Sequence, residues 1–204
     1  MSKLNNLGQQ ILDCKNCAGL VAGRNLVVPG EGPEDAEIMF IGEAPGMHED
    51  RQGRPFVGAA GTFLTELLAA INLTRGQVYI TNVVKCRPPD NRDPQPDEIS
   101  NCADWLTRQI SIIKPRMIVT LGRYSLARFF PGKTIGKVHG TAYLRDGVIY
   151  FAMYHPAAAL HQQRLRQTLL DDMARIPALL SRANESPPPA AADDETPPRQ
   201  LSML

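Results

Sequence analysis

No apolar run in this chain approaches the ~18 residues of a membrane-spanning helix, so the sequence offers no α-helical membrane anchor. The N-terminus, Met1-Ser2-Lys3-Leu4-Asn5-Asn6, lacks the apolar core of a secretory signal, and the expectation is a cytoplasmic protein. A charge excess of one sign is missing too. The net charge is +1 over 204 residues, too small to point to a nucleic-acid partner by itself. That balance hides an asymmetry: residues 183–204 hold Glu185, Asp193, Asp194 and Glu195 against Arg199, a net −3, which leaves +4 on residues 1–182. Internal repeats are absent. Cysteine is scarce, with four in the whole chain.

Apolar periodicity then gives the organisation. Leu4, Leu7, Ile11 and Leu12 have helical spacing, with the helix ending near Cys14. Phe63, Leu64, Leu67, Leu68 and Ile71 form a second helical stripe. Ile99, Cys102, Ala103, Leu106, Ile110 and Ile113 form a third. Gly122 opens a helix running through Phe130, and Leu169, Leu170, Met173, Ile176 and Leu180 lie on a last one, bent at Pro177. Continuous apolar runs at Ile38–Ile41, Val78–Asn82, Met117–Leu121 and Val148–Tyr154 read as buried strands. The segment after Ile41, through Asp50-Arg51-Gln52-Gly53-Arg54-Pro55, reads as a long loop, and so does Pro88 to Pro96. Strands alternating with helices predict an α/β fold, three layers with a central, mostly parallel four-stranded sheet. Residues 1–182 form the expected domain. Residues 183–204, rich in Pro, Ala and acid, cannot bury a core and are expected to be a disordered tail.

The cysteines form one C-x-x-C pair, Cys14 and Cys17, and two distant residues, Cys86 and Cys102. In a cytosolic chain this split points to metal or iron–sulfur ligation more than to disulfides. Cys102, on an apolar helix face, is also consistent with an ordinary buried thiol. Zinc and a 4Fe-4S cluster both accept four thiolates. The wide separation is not the paired-knuckle spacing of a zinc ribbon and favours the cluster.

Two strings sit where strands end: Gly42-Glu43-Ala44-Pro45-Gly46, and His155-Pro156-Ala157-Ala158-Ala159-Leu160. Ligands of α/β sheets gather at carboxyl ends of strands, so a carboxylate, glycine-freed amides and a histidine are expected in one crevice. Further strings are Gly53-Arg54-Pro55-Phe56-Val57-Gly58 and Thr81-Asn82-Val83-Val84-Lys85-Cys86-Arg87-Pro88-Pro89. With the four cysteines, their order and spacing resemble the family 4, iron–sulfur uracil-DNA glycosylases, from about Leu7 to Leu180.

The resemblance implies an enzyme that flips deoxyuridine out of DNA and hydrolyses its glycosidic bond, in base excision repair. It implies a uracil site made by Gly42, Ala44, Phe56, Asn82 and His155. Phe56 stacks on the base, the Asn82 amide reads N3–H and O4, and His155 stabilises the departing anion at O2. Ala44 stands where better-known glycosylases carry a water-positioning aspartate, so Glu43 and Glu49 are the candidate catalytic carboxylates beside His155, with Glu49 alternatively ordering the loop. Gly46 replaces the tyrosine that blocks thymine elsewhere. DNA is expected on the amides of Gly58 and Gly61, on Lys85, Arg87 and Arg164, with Arg51, Arg54 and Arg92 near the backbone track and Leu160 as a wedge. Ala157 replaces a common serine and its phosphate contact. Cys14, Cys17, Cys86 and Cys102 are the implied ligands of the 4Fe-4S cluster.

Two other readings stay open: a uracil-DNA-binding relative that forms a covalent adduct, for which His139 is the candidate nucleophile, and an iron–sulfur redox or electron-transfer protein. Finally, Gln200-Leu201-Ser202-Met203-Leu204 is similar to the short peptide by which bacterial repair proteins engage the sliding clamp, and that clamp is an expected partner beside uracil-containing DNA.

Overall fold

Successive residues of a strand face opposite ways. In β1 (Ile38–Gly42) both directions are apolar: Ile38 and Phe40 join one buried cluster, Met39 and Ile41 the other. A strand buried on both faces belongs in the middle layer of three. The computed structural model describes residues 2–185 and 199–201, and over these it is such a sandwich.

In chain order, α1 (Lys3–Leu12) and α2 (Ala18–Gly23) precede β1. Helices α3 (Met47–Gln52) and α4 (Ala59–Ala70) then lead to β2 (Tyr79–Asn82), and α5 (Pro96–Ile113) to β3 (Met117–Leu121). Next come α6 (Arg123–Phe129), α7 (Ile135–Val138), β4 (Ala142–Arg145) and β5 (Val148–Met153). Helices α8 (Pro156–His161), α9 (Arg164–Ala174) and α10 (Ile176–Glu185) follow, and Arg199–Leu201 forms β6. The sheet order is β2-β1-β3-β5-β4-β6. The strands β2, β1, β3 and β5 run parallel, while β4 is antiparallel to both β5 and β6.

The helical stripes cover the two faces. Leu4, Leu7 and Ile11 of α1, with Leu106 and Ile113 of α5 and Leu126 of α6, pack over Met39 and Ile41. Phe63, Leu64, Leu67 and Leu68 of α4, with Leu169 and Met173 of α9, pack over Phe40, Val119 and Phe151. Each such side chain, fully buried, contributes on the order of 1.5–3 kcal/mol. Local signals fix the helix ends. Ser2 caps α1 by accepting the Asn5 N–H at 3.1 Å. Pro96 begins α5, and Glu98 reaches back to the Gln95 N–H at 2.8 Å.

The four parallel strands are the four read from the sequence. The count of four is corrected by β4: the Asp146-Gly147 pair carries φ of 52° and 75°, making a tight hairpin that adds an antiparallel strand. The loop expected after Ile41 is also corrected, because Met47–Gln52 is helical, capped by Gly53 at φ 68°. The last helix does not bend at Pro177. It stops at Ala174 and restarts as α10, with Pro177 as the second residue, where its missing N–H costs nothing. Of the expected tail, residues 183–185 finish α10 and Arg199–Leu201 form β6. Ser202, Met203 and Leu204 lie outside the described residues.

One glycine controls how the site loop meets α4. A Cβ on Gly61 would lie 1.8 Å from the Phe56 carbonyl oxygen. Gly61→Ala is therefore expected to cost about 3 kcal/mol or more. Thermal unfolding of the variant beside the parent checks this.

Candidate active site

The strand order places β1 between β2 and β3, so the connection leaving β1 runs toward β2 while the one leaving β3 runs the other way, toward β4 and β5. Crevices form at such switch points, beyond the carboxyl ends of the strands. Here a cleft of about 230 Å³ opens beyond β1, β2 and β5. Its walls include Glu43, Ala44, Pro45, Gly46 and Glu49 after β1, Phe56 and Ala60, Asn82 at the end of β2, Pro88, Asn91 and Arg92, and His155 and Ala157 after β5.

Asn82 is the last residue of β2, paired in register with Gly42. It is 2% exposed. Among the described residues its Oδ1 is the buried side-chain polar atom left without a hydrogen-bond partner. Such an acceptor costs on the order of 1–3 kcal/mol unless a ligand satisfies it. Gly42 makes its position possible, since a Cβ there would sit 2.4 Å from Asn82 Oδ1 and 2.6 Å from the Phe56 ring.

Phe56 is buried with φ 52°, a left-handed conformation unusual for an aromatic residue. Arg75 holds it there, donating to the carbonyls of Phe56 at 3.0 Å and Pro55 at 2.7 Å. The Phe56 ring stacks on the His155 imidazole, centroids 5.5 Å apart. His155 caps α8. Its Nδ1 accepts the Ala157 N–H at 3.2 Å, which leaves the ring proton on Nε2. Burial drives its pKa down to about 4, partly opposed by Glu49, so the ring is neutral at ordinary pH.

The two candidate carboxylates differ in their surroundings. Glu49 Oε1 accepts the N–H groups of Val57 and Gly58, both at 2.8 Å, and Oε2 accepts that of Gly46 at 3.1 Å. Glu49 thus fastens the start of α3 to the loop that carries Phe56. Glu43 lines the cleft half-buried, and burial, reinforced by the charge of Asp93, raises its carboxyl above the usual range against the opposing pull of Arg123. A carboxylate so raised is suited to take a proton from water.

The residues expected to meet DNA are placed unequally. Lys85 is corrected: it is 1% exposed, and its ammonium donates to Thr81 Oγ1, the Asn82 carbonyl and Gln109 Oε1, each at 2.7 Å. Gly58 gives its N–H to Glu49, and Gly61 is buried in α4 as a packing residue. Arg54 is tied to Glu31, Arg92 to Glu98 and Arg87 to Asn91. Arg51 and Arg164 are exposed, and Leu160 projects from α8 at 49% exposure. His139 does not line the cleft; its Nδ1 lies 3.0 Å from Asp172 Oδ2. The cleft also takes in Asn91, at φ 54°, and Ala60, neither anticipated as site residues. The Asn91-Arg92 step follows a Pro-Pro pair in a charged loop, which marked a turn but gave no sign of which way it faced.

All four cysteines ring a second, smaller pocket, closed by Leu20, Val27 and Val84. All four are free thiols. Every sulfur receives an N–H: Cys14 from Trp105 Nε1 at 3.3 Å, Cys17 from Asn101 Nδ2 at 3.7 Å, Cys86 from Arg24 at 2.8 Å and Cys102 from the Lys85 backbone at 3.3 Å. Among the described residues no three His, Cys, Asp or Glu side chains are drawn together into a ready-made ion site. Four soft sulfurs around one apolar-walled pocket, each with a donor, nonetheless fit a group bound by thiolates.

A neutral imidazole, an amide with a free acceptor, an aromatic ring and a half-buried carboxyl meet in one sheet-end cleft. Residues 29–175 match the uracil DNA glycosylase superfamily, and the chain belongs to that superfamily. Among its relatives is the type-4 uracil-DNA glycosylase of Sulfurisphaera tokodaii, 50% identical over 86% of this chain and 84% of the relative. That of Archaeoglobus fulgidus is 45% identical over 89% and 96%. A type-5 enzyme of Thermus thermophilus is 33% identical over 72% and 84%.

The state of His155 is open to direct test. Nitrogen NMR of the imidazoles is expected to show the Nε2–H tautomer titrating near pH 4 rather than the ordinary ~6.5. The folded value lies below the unfolded one. Stability from the neutral ring is therefore fully present above about pH 6.5 and lost as pH falls toward 4. A His155 resonance titrating near 6.5 would contradict the assignment.

Proposed function

We propose that the chain is a uracil-DNA glycosylase, releasing uracil from DNA and leaving an abasic site. The observation that carries this reading is the partnerless Asn82 Oδ1 in a cleft shared with Phe56 and His155. Deoxyuridine leaves the base stack, since its glycosidic bond is inaccessible inside a duplex. Its base lies against Phe56. Asn82 Oδ1 accepts N3–H while Nδ2 donates to O4. Cytosine has no proton at N3 and offers an amine in place of O4, so it leaves both amide atoms mismatched.

The C1′–N1 bond breaks with its electron pair passing to the base. His155 Nε2–H donates to O2, where negative charge gathers, a bond stronger in the transition state than before it. Water adds to C1′ of the cationic sugar and its proton passes to Glu43. Glu49 keeps the loop in place. Exposed Leu160 fills the gap in the stack, and Arg164 stands beside it for the phosphates.

Cys14, Cys17, Cys86 and Cys102 are assigned as ligands of a 4Fe-4S cluster. Held there, it would serve a structural role, tying the N-terminal segment to the Cys86–Cys102 loop. Residues 1–182 constitute the glycosylase domain and 183–204 a tail, the whole acting in the cytoplasm. Gln200 to Leu204 is assigned to sliding-clamp contact. Because Gln200 and Leu201 pair with Tyr143 and Ala142, the clamp has to compete with the sheet for them.

Single-turnover release of uracil from an oligonucleotide tests the pocket. His155→Ala and Asn82→Ala are each expected to slow it by about 10² or more, the scale of losing one transition-state donor or base contact. Near-parental rates in both would remove the proposal. Protein purified without oxygen is expected to hold about four iron atoms and matching acid-labile sulfide per chain. Stoichiometric zinc without sulfide would overturn the cluster.

A further inference from the structure

A lysine with no carboxylate partner has little reason to lie inside a protein, because burying an ammonium costs several kcal/mol unless every N–H finds an acceptor. Lys85 is 1% exposed, and its three N–H groups meet three neutral acceptors: Thr81 Oγ1, the Asn82 carbonyl and Gln109 Oε1. The tripod is itself anchored. Gln109 Nε2 donates to the Pro29 carbonyl at 2.8 Å and Tyr79 Oη at 2.9 Å, and Thr81 Oγ1 donates to the same Pro29 carbonyl at 2.9 Å. One ammonium therefore joins the last two residues of β2 to the C-terminal part of α5, and Thr81 and Gln109 in turn hold Pro29 before β1.

The end of β2 needs such a clamp. Asn82 closes the strand, and its Oδ1 has no hydrogen bond of its own. Nothing bonded to that oxygen keeps the amide aimed into the cleft, so its aim depends on the main chain beneath it. The Lys85 ammonium grips that main chain at the Asn82 carbonyl. Its backbone N–H makes a separate contact, to Cys102 Sγ.

We propose that Lys85 is a positioning residue for Asn82, fixing the base-reading amide by tying the end of β2 to α5. This rests on the reading of Asn82 as the uracil contact. The division of labour is built into the residue. The side chain serves the base pocket, while the contact to Cys102 uses a backbone N–H that a methionine keeps. A methionine of similar reach fills the space and leaves the Asn82 carbonyl without its donor.

The test is a double-mutant cycle on the full chain purified with its metal. Lys85→Met is expected to slow single-turnover uracil release by about 10- to 100-fold, the scale of misplacing a reacting group by about an ångström. Affinity for an abasic-site oligonucleotide and iron content stay at parental values. In an Asn82→Ala background the same substitution is expected to change the rate less than about threefold, because the amide it serves is gone. Gln109→Met cuts the tether from the other end, away from any cysteine neighbour, and is expected to show the same coupling. If Lys85→Met loses iron or folds poorly, the Gln109→Met cycle decides. Multiplicative losses in a background where Asn82→Ala is itself impaired overturn the positioning role and leave the uracil reading intact. A parental rate in Lys85→Met and Gln109→Met does the same. A parental rate in Asn82→Ala overturns the uracil reading and, with it, Lys85's role.

Discussion

One carboxylate holds the site loop in shape. Glu49 accepts three backbone N–H groups, from Gly46 at the head of α3 and from Val57 and Gly58 just before α4. Between those anchors lies Phe56, in a conformation an aromatic residue rarely takes, its carbonyl against Gly61 and its ring against Gly42. Removing the carboxyl group would free three donors at once in a partly buried place, where each unmet N–H costs on the order of 1–3 kcal/mol. The cleft is therefore organised from behind its wall. Asn82 Oδ1, which faces inward, can stay unpartnered because Glu49 fastens the loop around it. Strain and orphaned atoms concentrate at such sites when the surroundings over-determine them.

The sequence made the framework legible because both of its signals are local. Continuous apolar runs marked β1, β2, β3 and β5, since a strand buried on both faces has no polar side. Helical stripes such as Phe63, Leu64, Leu67 and Leu68 marked α4. The hairpin strand β4 carries a weaker signal, because its four residues before Asp146-Gly147 have no apolar run like that of β5. Met47–Gln52 gives no helical signal, because a six-residue helix with one buried residue, Asp50, has no apolar stripe.

At the site, residue types were legible and directions were not. Gly42, Phe56, Asn82 and His155 do meet in one cleft. Lys85 looked like a solvent-facing cation in a basic stretch. Its burial depends on Gln109, a residue 24 positions away on α5, and no local pattern reports that pairing. Similarly, the Gly58 N–H read as an anion site, until Glu49 nine residues earlier filled it.

Helix α8 joins two tasks on a very short lever. His155 caps its first turn and Leu160 projects near its last, five residues on, about 7–8 Å along the axis at 1.5 Å per residue. A helix of this length has no internal hinge. Any movement of Leu160 carries His155 with it. On the proposed reading, probing the stack and delivering the leaving-group donor would then be one mechanical event, and a base that stays in the stack would never meet an assembled site.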